Sequence, residues 1–284
     1  MATFTERVKV LEAESERLKQ YLQALPAEAW TRPSACTQWQ VQDVVAHLVG
    51  VAEFYASAAA RGLQGDTTPP AGRLPAGAST GASSAESIAQ RSIAARQHLG
   101  DQLLTTFGSS GDHLNQLLAR LTPEERQKPC YHPGGIVAAQ NFIDLRLKEL
   151  AVHEWDIRAG LEPEAHLSPA SFPAILATIS ESIASGSLRW AFWAGPKPAR
   201  PVRYRFVISG PGPDKPDLVI DGETIRMEDA VAATPNVTFR CDTETYILLV
   251  YGRLKLDSAL ASGRLGVKGD RQLASAFGQW FRGI

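Results

Sequence analysis

Apolar side chains recur at every third or fourth position from the start of the chain. Phe4, Val8, Leu11, Leu18, Leu22 and Leu25 form one stripe along a helix, which Pro26 stops. In the next run, TRPSACTQWQVQDVVAHLVGVAEFYASAAARG, Thr37 stands three residues ahead of Gln40, the spacing of a capping box. The apolar period that follows predicts a second helix ending at Gly62. Residues 64–84 are dense in Gly, Pro, Ser and Thr, have no apolar period, and predict a long surface loop or lid. Ser83 and Glu86 repeat the capping-box spacing, and Ile88, Ser92, Ala95, Leu99 and Leu103 trace a third helix. It is expected to break or bend at Gly108–Gly111, with a short helical piece through Leu121. After the turn-rich KPCYHPGG, the segment from Ile136 through Phe142, Ile143, Leu150 and Ile157 predicts the longest helix, with Gly160 as its C-cap. Four main helices joined by one long connection are the pattern of a bundle.

The pattern changes further on. Ser168 and Pro169 open another helix, and Pro196, Pro198 and Pro201 break it. VRYRFVISG, DLVIDGETIRME and VTFRCDT then alternate or cluster β-formers between turn residues, so residues 201–243 predict a small antiparallel sheet. Helical patterns return at TETYILLVYGRL, SALASGRL and RQLASAFGQWFRG. The expected fold is therefore α+β: a helical bundle over residues 1–165 followed by a smaller α+β domain over residues 166–284. A chain of 284 residues exceeds the roughly 100–200 of one domain, in keeping with two.

Charge narrows the partners. With 29 basic and 30 acidic side chains the formal net charge is -1, which provides no field to draw in nucleic acid or anionic lipid. No apolar run approaches the 18 or so residues of a membrane helix, and MATFTERVKVLEAESERL has acids where a signal peptide has its apolar core. The expectation is a cytoplasmic protein that binds small molecules, neither nucleic acid nor membrane, with its oligomeric state open. Cys36, Cys130 and Cys241 are odd in number and widely spaced, which indicates neither a disulfide framework nor a thiolate zinc knot.

Three residues stand out chemically. Glu149 and His153, four apart on one helix, share a face and can reach one ion. His47 lies among Val44, Val45, Leu48 and Val49, where an imidazole needs a partner. If the two helices are neighbours, two imidazoles and a carboxylate converge, a set that suits zinc with one position left open. Iron, nickel and manganese are alternatives. Spacing alone does not establish metal binding, because a Glu and a His four apart arise by chance, and a His among valines is more often a hydrogen-bonded core residue.

Trp30, Pro33, Ser34, Cys36, Trp39, Val41, Asp43, Val44, Val45, Ala46, His47 and Leu48, together with Arg146, Glu149, His153, Trp155 and Asp156, resemble the signature of the mycothiol-dependent maleylpyruvate isomerase family. That family lies within the DinB-like superfamily of metalloproteins. ALASGRLGVKGDRQLASAFGQWF resembles the end of domains related to sterol carrier protein 2, which the family carries after its bundle. The resemblance implies a DinB-like four-helix bundle with His47, Glu149 and His153 as ligands of a divalent metal, zinc foremost. It also implies a low-molecular-weight thiol such as mycothiol as cofactor. A free thiol has a pKa near ~8.5, whereas a thiol on zinc is deprotonated outright. In the implied isomerisation, thiolate adds to the cis double bond of an activated acid, the adduct rotates about the new single bond, and elimination gives the trans isomer. In a transferase the same thiolate displaces a leaving group or opens an epoxide on a small electrophilic substrate. The alternative is a carrier of small hydrophobic ligands with a structural or regulatory metal.

The remaining candidates read less sharply. Arg91, Arg96, Arg253 and Arg264 are possible carboxylate binders but read more readily as solvated surface charges, and they are not counted as site residues. Asp43, one turn before His47, either orients its imidazole or faces solvent. Trp155 and Asp156 serve the family segment, packing or capping, and Cys36 and Cys130 read as buried small residues without ligands beside them. His98, His113, His132 and His166 are expected at the surface. Trp190, Phe192 and Trp193 are expected to pack at the domain junction.

Overall fold

Helix α1 (Phe4–Ala24) starts where Thr3 and Glu6 cap each other: the Thr3 hydroxyl accepts from the Glu6 amide, and the Glu6 carboxylate accepts from the Thr3 amide. The computed structural model describes residues 2–78, 81–162 (81–85 by backbone alone), 164–184, 198–211, 216–229 and 233–281. The chain divides into two compact units, residues 1–79 with 83–174 and residues 80–82 with 175–284. In the first, α2 (Val41–Leu63) and α1 each pack against both α4 (Leu103–Ala119) and α5 (Asn141–Leu161), a four-helix ring to which α3 (Gly81–Leu99) adds Ile88, Ala95 and Leu99. Leu11, Leu18, Val44, Leu48, Leu114 and Phe142 are among the fully buried side chains at its centre. A four-residue hairpin, β1 (Pro129–His132) with β2 (Gly135–Ala138), packs on α2 just before α5 begins. Among the described residues no helix is long and apolar enough to cross a membrane.

Several local expectations differ from what forms. The cap of α2 is Gln40 with Asp43, not Thr37 with Gln40. Residues 33–40 close into a loop instead, with a Pro33–Gln40 bridge, Gln38 in the left-handed region at φ 70°, and the Ser34 amide donating to Trp39 O. The third helical run breaks at Gly100, where φ is +47°, and continues unbroken through Gly108–Gly111. Ile136–Ala138 form a strand rather than the first turn of α5. Gly160 is not a cap either, because α5 runs on to Leu161.

The second unit contains a five-stranded sheet in the order β5-β4-β3-β6-β7, from β3 (Val202–Ser209), β4 (Pro216–Asp221), β5 (Thr224–Asp229), β6 (Val237–Asp242) and β7 (Gly266–Gly269). β3 and β6 run parallel and the other pairs antiparallel, so the sheet is mixed rather than antiparallel. Apolar alternation marks a strand's span but is the same for either pairing direction, so it does not distinguish a mixed sheet from an antiparallel one. Helices α7 (Thr243–Val250) and α8 (Leu256–Ala261) lie between β6 and β7 in the chain and α9 (Arg271–Trp280) follows β7, and Phe277 of α9 packs edge-on against Tyr204, Phe206 and Phe239 of the sheet. Helix α6 (Phe172–Ala184) begins after the 3-10 turn at Pro169–Ser171. Trp190, Phe192 and Trp193 lie outside the described residues.

Gly160 carries a structural requirement that its place in a helix does not reveal. A Cβ there would stand 2.3 Å from Pro33 O and 3.0 Å from Ser34 Cα, so α5 and the 33–40 loop touch backbone to backbone. Alanine is ordinarily worth about 1 kcal/mol over glycine inside a helix. Here the clash dominates, and Gly160→Ala is expected to lower stability by about 1–3 kcal/mol, read as a lower urea midpoint at unchanged slope.

Candidate metal centre

α2 and α5 lie side by side, and that contact brings together residues 102 positions apart. His47 faces α5 from the second turn of α2, while Glu149 and His153 sit one turn apart on α5. Glu149 Oε2 is 3.3 Å from His47 Nε2 and 3.4 Å from His153 Nε2, and the three donor atoms all lie within 4.8 Å of one another. Two donors bound at about 2.0–2.1 Å to a tetrahedral ion stand about 3.3 Å apart, so the spacing fits the donor edges of a zinc site. The three side chains keep 15%, 13% and 11% of their surface exposed.

The charge around the three donors is arranged for an anion between cations. Lys148 Nζ holds the other carboxylate oxygen, Glu149 Oε1, at 2.7 Å. Burial pushes the Glu149 carboxyl up, but Lys148 and the two imidazoles outweigh it and hold it well below the usual range. Burial also keeps His47 below its ordinary value against the opposing pull of Glu149. At His153 burial is outweighed by hydrogen bonds to Asp156, Cys36 and Glu149, which carry its pKa well above the ordinary value. Trp39 closes one side, its ring 5.1 Å from that of His47 and 6.2 Å from that of His153. One residue beyond His47, the Leu48 carbonyl accepts a 2.8 Å bond from the fully buried Arg146, which ties α5 to α2 beside the donors. Burial pushes that guanidinium down to about 10, still charged at neutral pH.

The rear of His153 is equally occupied. Its Nδ1 lies 2.9 Å from Asp156 Oδ2, and Cys36 Sγ lies 3.0 Å from the same oxygen. Cys36 is therefore buried as expected but not isolated. Asp156 is neither cap nor exposed, since α5 continues past it and it is fully buried. Trp155 instead donates its indole N–H to Ala165 O. Asp43, the other carboxylate considered for a supporting role, neither touches an imidazole nor faces solvent: it accepts from the Gln40 amide at 2.9 Å and from Arg96 at 3.0 Å. Arg96 is thereby engaged inside the bundle. Arg264 contacts Glu244 and Thr245 within the second unit. Cys130 is a buried small residue whose thiol burial pushes up to about 11.

His98, His113 and His166 are exposed, but His132 is not. It sits on β1 with its ring 5.9 Å from that of Tyr55, its Nδ1 accepts from the Gly134 amide at 3.1 Å, and burial next to Lys148 lowers its pKa to about 4. It is a neutral imidazole within electrostatic reach of Glu149. His132 and Lys148 are the two residues at the site that local spacing could not find, since each acquires its surroundings from another element. The long connection is partly anchored to the same hairpin: Tyr131 donates to Leu74 O at 2.6 Å and the Gly77 amide to Pro133 O at 2.9 Å.

Comparison with known proteins adds a family. Residues 11–158 match the family model for the mycothiol maleylpyruvate isomerase N-terminal domain, and residues 197–282 match the SCP-2 sterol transfer family. Crystal structures of the mycothiol-dependent maleylpyruvate isomerase and of a histidine-to-alanine mutant of it each superpose with a TM-score of 0.63 at 12% identity, over 94% of this chain and 93% of theirs. Sterol carrier protein 2 like 2 from Aedes aegypti aligns with 38% of this chain and 93% of its own at 18% identity, with a TM-score of 0.26. No curated protein sequence matches the chain.

The partners of Asp43 make its role testable apart from the donors. Asp43→Ala removes the helix cap and leaves the partly buried Arg96 without its carboxylate. The expected loss is about 1–2 kcal/mol in chemical denaturation.

Proposed function

Because the chain belongs to the mycothiol maleylpyruvate isomerase N-terminal domain family, we propose that it is a divalent-metal enzyme that activates a low-molecular-weight thiol of the mycothiol type. Its chemistry is cis–trans isomerisation of, or S-transfer to, a small acidic or electrophilic substrate. The observation that carries this reading is the convergence of His47 Nε2, Glu149 Oε2 and His153 Nε2 at donor spacings of 3.3 and 3.4 Å. Zinc fits the set best: two imidazoles and one carboxylate neutralise half of its charge and leave a fourth position open. A bound ion would supply the Lewis acidity that makes a thiol nucleophilic at neutral pH.

The chain's own residues account for the rest. Glu149 brings the negative charge, and Lys148 holds its second oxygen so that a single oxygen faces the imidazoles. The Trp39 ring shields one flank from water, and Arg146 keeps α2 and α5 in register. His132, neutral and with Nδ1 engaged by Gly134, has its proton on Nε2 and can donate a hydrogen bond without adding charge. A cytoplasmic setting suits a thiol cofactor, and the three buried cysteines form no disulfide.

A second reading rests on the match of residues 197–282 to the SCP-2 sterol transfer family: a carrier of hydrophobic ligands in which the bundle metal is structural. Turnover separates the two. The purified protein is expected to contain about one equivalent of metal, and His47→Ala to lose at least about tenfold in affinity. The cobalt-substituted parent is expected to develop a thiolate-to-metal absorption band on titration with mycothiol. A stoichiometric metal without that band or any thiol-dependent turnover, together with binding of a fluorescent fatty acid, would favour the carrier.

A further inference from the structure

His153 is held from both edges of its ring. Nε2 faces Glu149 and His47, while Nδ1 faces the opposite way, 2.9 Å from Asp156 Oδ2. We propose that Asp156 is a positioning residue that fixes His153 as a metal donor through Nε2, and that the Cys36 thiol shares the same carboxylate oxygen and tempers it. The inference rests on the metal reading above and goes beyond its three ligands.

Three observations support the assignment. Asp156 lies three residues after His153 inside α5, so the helix itself places the carboxylate behind the ring. It is fully buried, and a buried carboxylate is stable only with hydrogen-bond donors; the imidazole N–H and the thiol S–H are two such donors converging on Oδ2. An imidazole whose Nδ1–H is held by a carboxylate presents a bare, more electron-rich Nε2 to a metal, and loss of such a partner weakens metal affinity by about 10–100-fold. Cys36 is close to the imidazole as well, but its sulfur is 3.9 Å from Nδ1 against 2.9 Å for Asp156, so the one N–H goes to the carboxylate.

The sulfur's location carries a second consequence. Cys36 stands behind the ring, on the Nδ1 side, so it is not a fourth ligand to an ion held at Nε2. It competes with His153 for the charge on Oδ2, so removing the thiol relieves the imidazole of one competitor for that oxygen. The two substitutions therefore differ, since loss of the carboxylate weakens zinc binding and loss of the thiol does not, which a merely structural role for this corner would not produce. The corner itself is held independently, by the Ala35 amide donating to Asp156 O at 2.8 Å and by the contact of Gly160 with Pro33.

The test measures zinc affinity of the full chain by competition with a chromophoric chelator, with urea midpoints as the folding control. Asp156→Asn, which keeps shape and removes charge, is expected to bind zinc about 10–100-fold more weakly. Cys36→Ala is expected to bind as tightly as the parent or more so. If the asparagine variant does not fold, Asp156→Ser carries the same expectation. A parent that binds one zinc while the folded Asp156 variant binds it equally well overturns this inference and leaves the metal reading standing. A loss in Cys36→Ala as large as that in the Asp156 variant also overturns it, since the sulfur would then belong to the site as a ligand. A parent that binds no zinc overturns both.

Discussion

Glu149 sets the terms for the first unit. Its carboxylate is placed between two imidazoles and an ammonium group at the seam of α2 and α5, and each of these groups would be costly to bury alone. Together they are tolerated only if the two helices meet in one register, because a shift of one residue turns His47 about 100° away from α5. The rest of the bundle serves that register. Arg146 ties the Leu48 carbonyl to α5, Asp43 closes the start of α2, and Gly160 lets the 33–40 loop lie directly on α5.

That loop links folding to the chemistry of the site. Residues 33–40 carry both Trp39, which lies over the imidazoles, and Cys36, which reaches the carboxylate behind His153. The loop's geometry depends on a left-handed Gln38 and on main-chain bonds within it and to α5, so a strained backbone is maintained by a surrounding network. The hairpin β1–β2 plays a similar part on the other side, bringing His132 beside Tyr55 and anchoring the long connection at Leu74 and Gly77.

Much of this was legible in the residue pattern, and the reasons for the exceptions are physical. The three-and-four apolar spacing locates α1, α2 and α5, and the (i, i+4) pair Glu149 and His153 announces a shared face. The α+β class and the order of bundle before sheet also follow from it. The break at Gly100 was not legible, because Gly100, Gly108 and Gly111 look alike until one of them adopts a positive φ. The hairpin was hidden because its four-residue strands are flanked by Pro and Gly and resemble a turn. Asp43 and Asp156 each lie about one turn from a histidine, and nothing local distinguishes them. Arg96, 53 residues away from Asp43, occupies the first, while the second lies against His153 Nδ1. His132 was misplaced for the same reason: its burial is supplied by residues of α2 and α5, not by its own neighbours.

The proposed chemistry requires one ion between α2 and α5, and anomalous diffraction at the zinc absorption edge from zinc-grown crystals locates such an ion directly. A single strong peak is expected about 2.0–2.2 Å from His47 Nε2, a Glu149 oxygen and His153 Nε2, with Asp156 still against Nδ1. A map with no peak at that point, or with zinc between Cys36 and Asp156 instead, would contradict it.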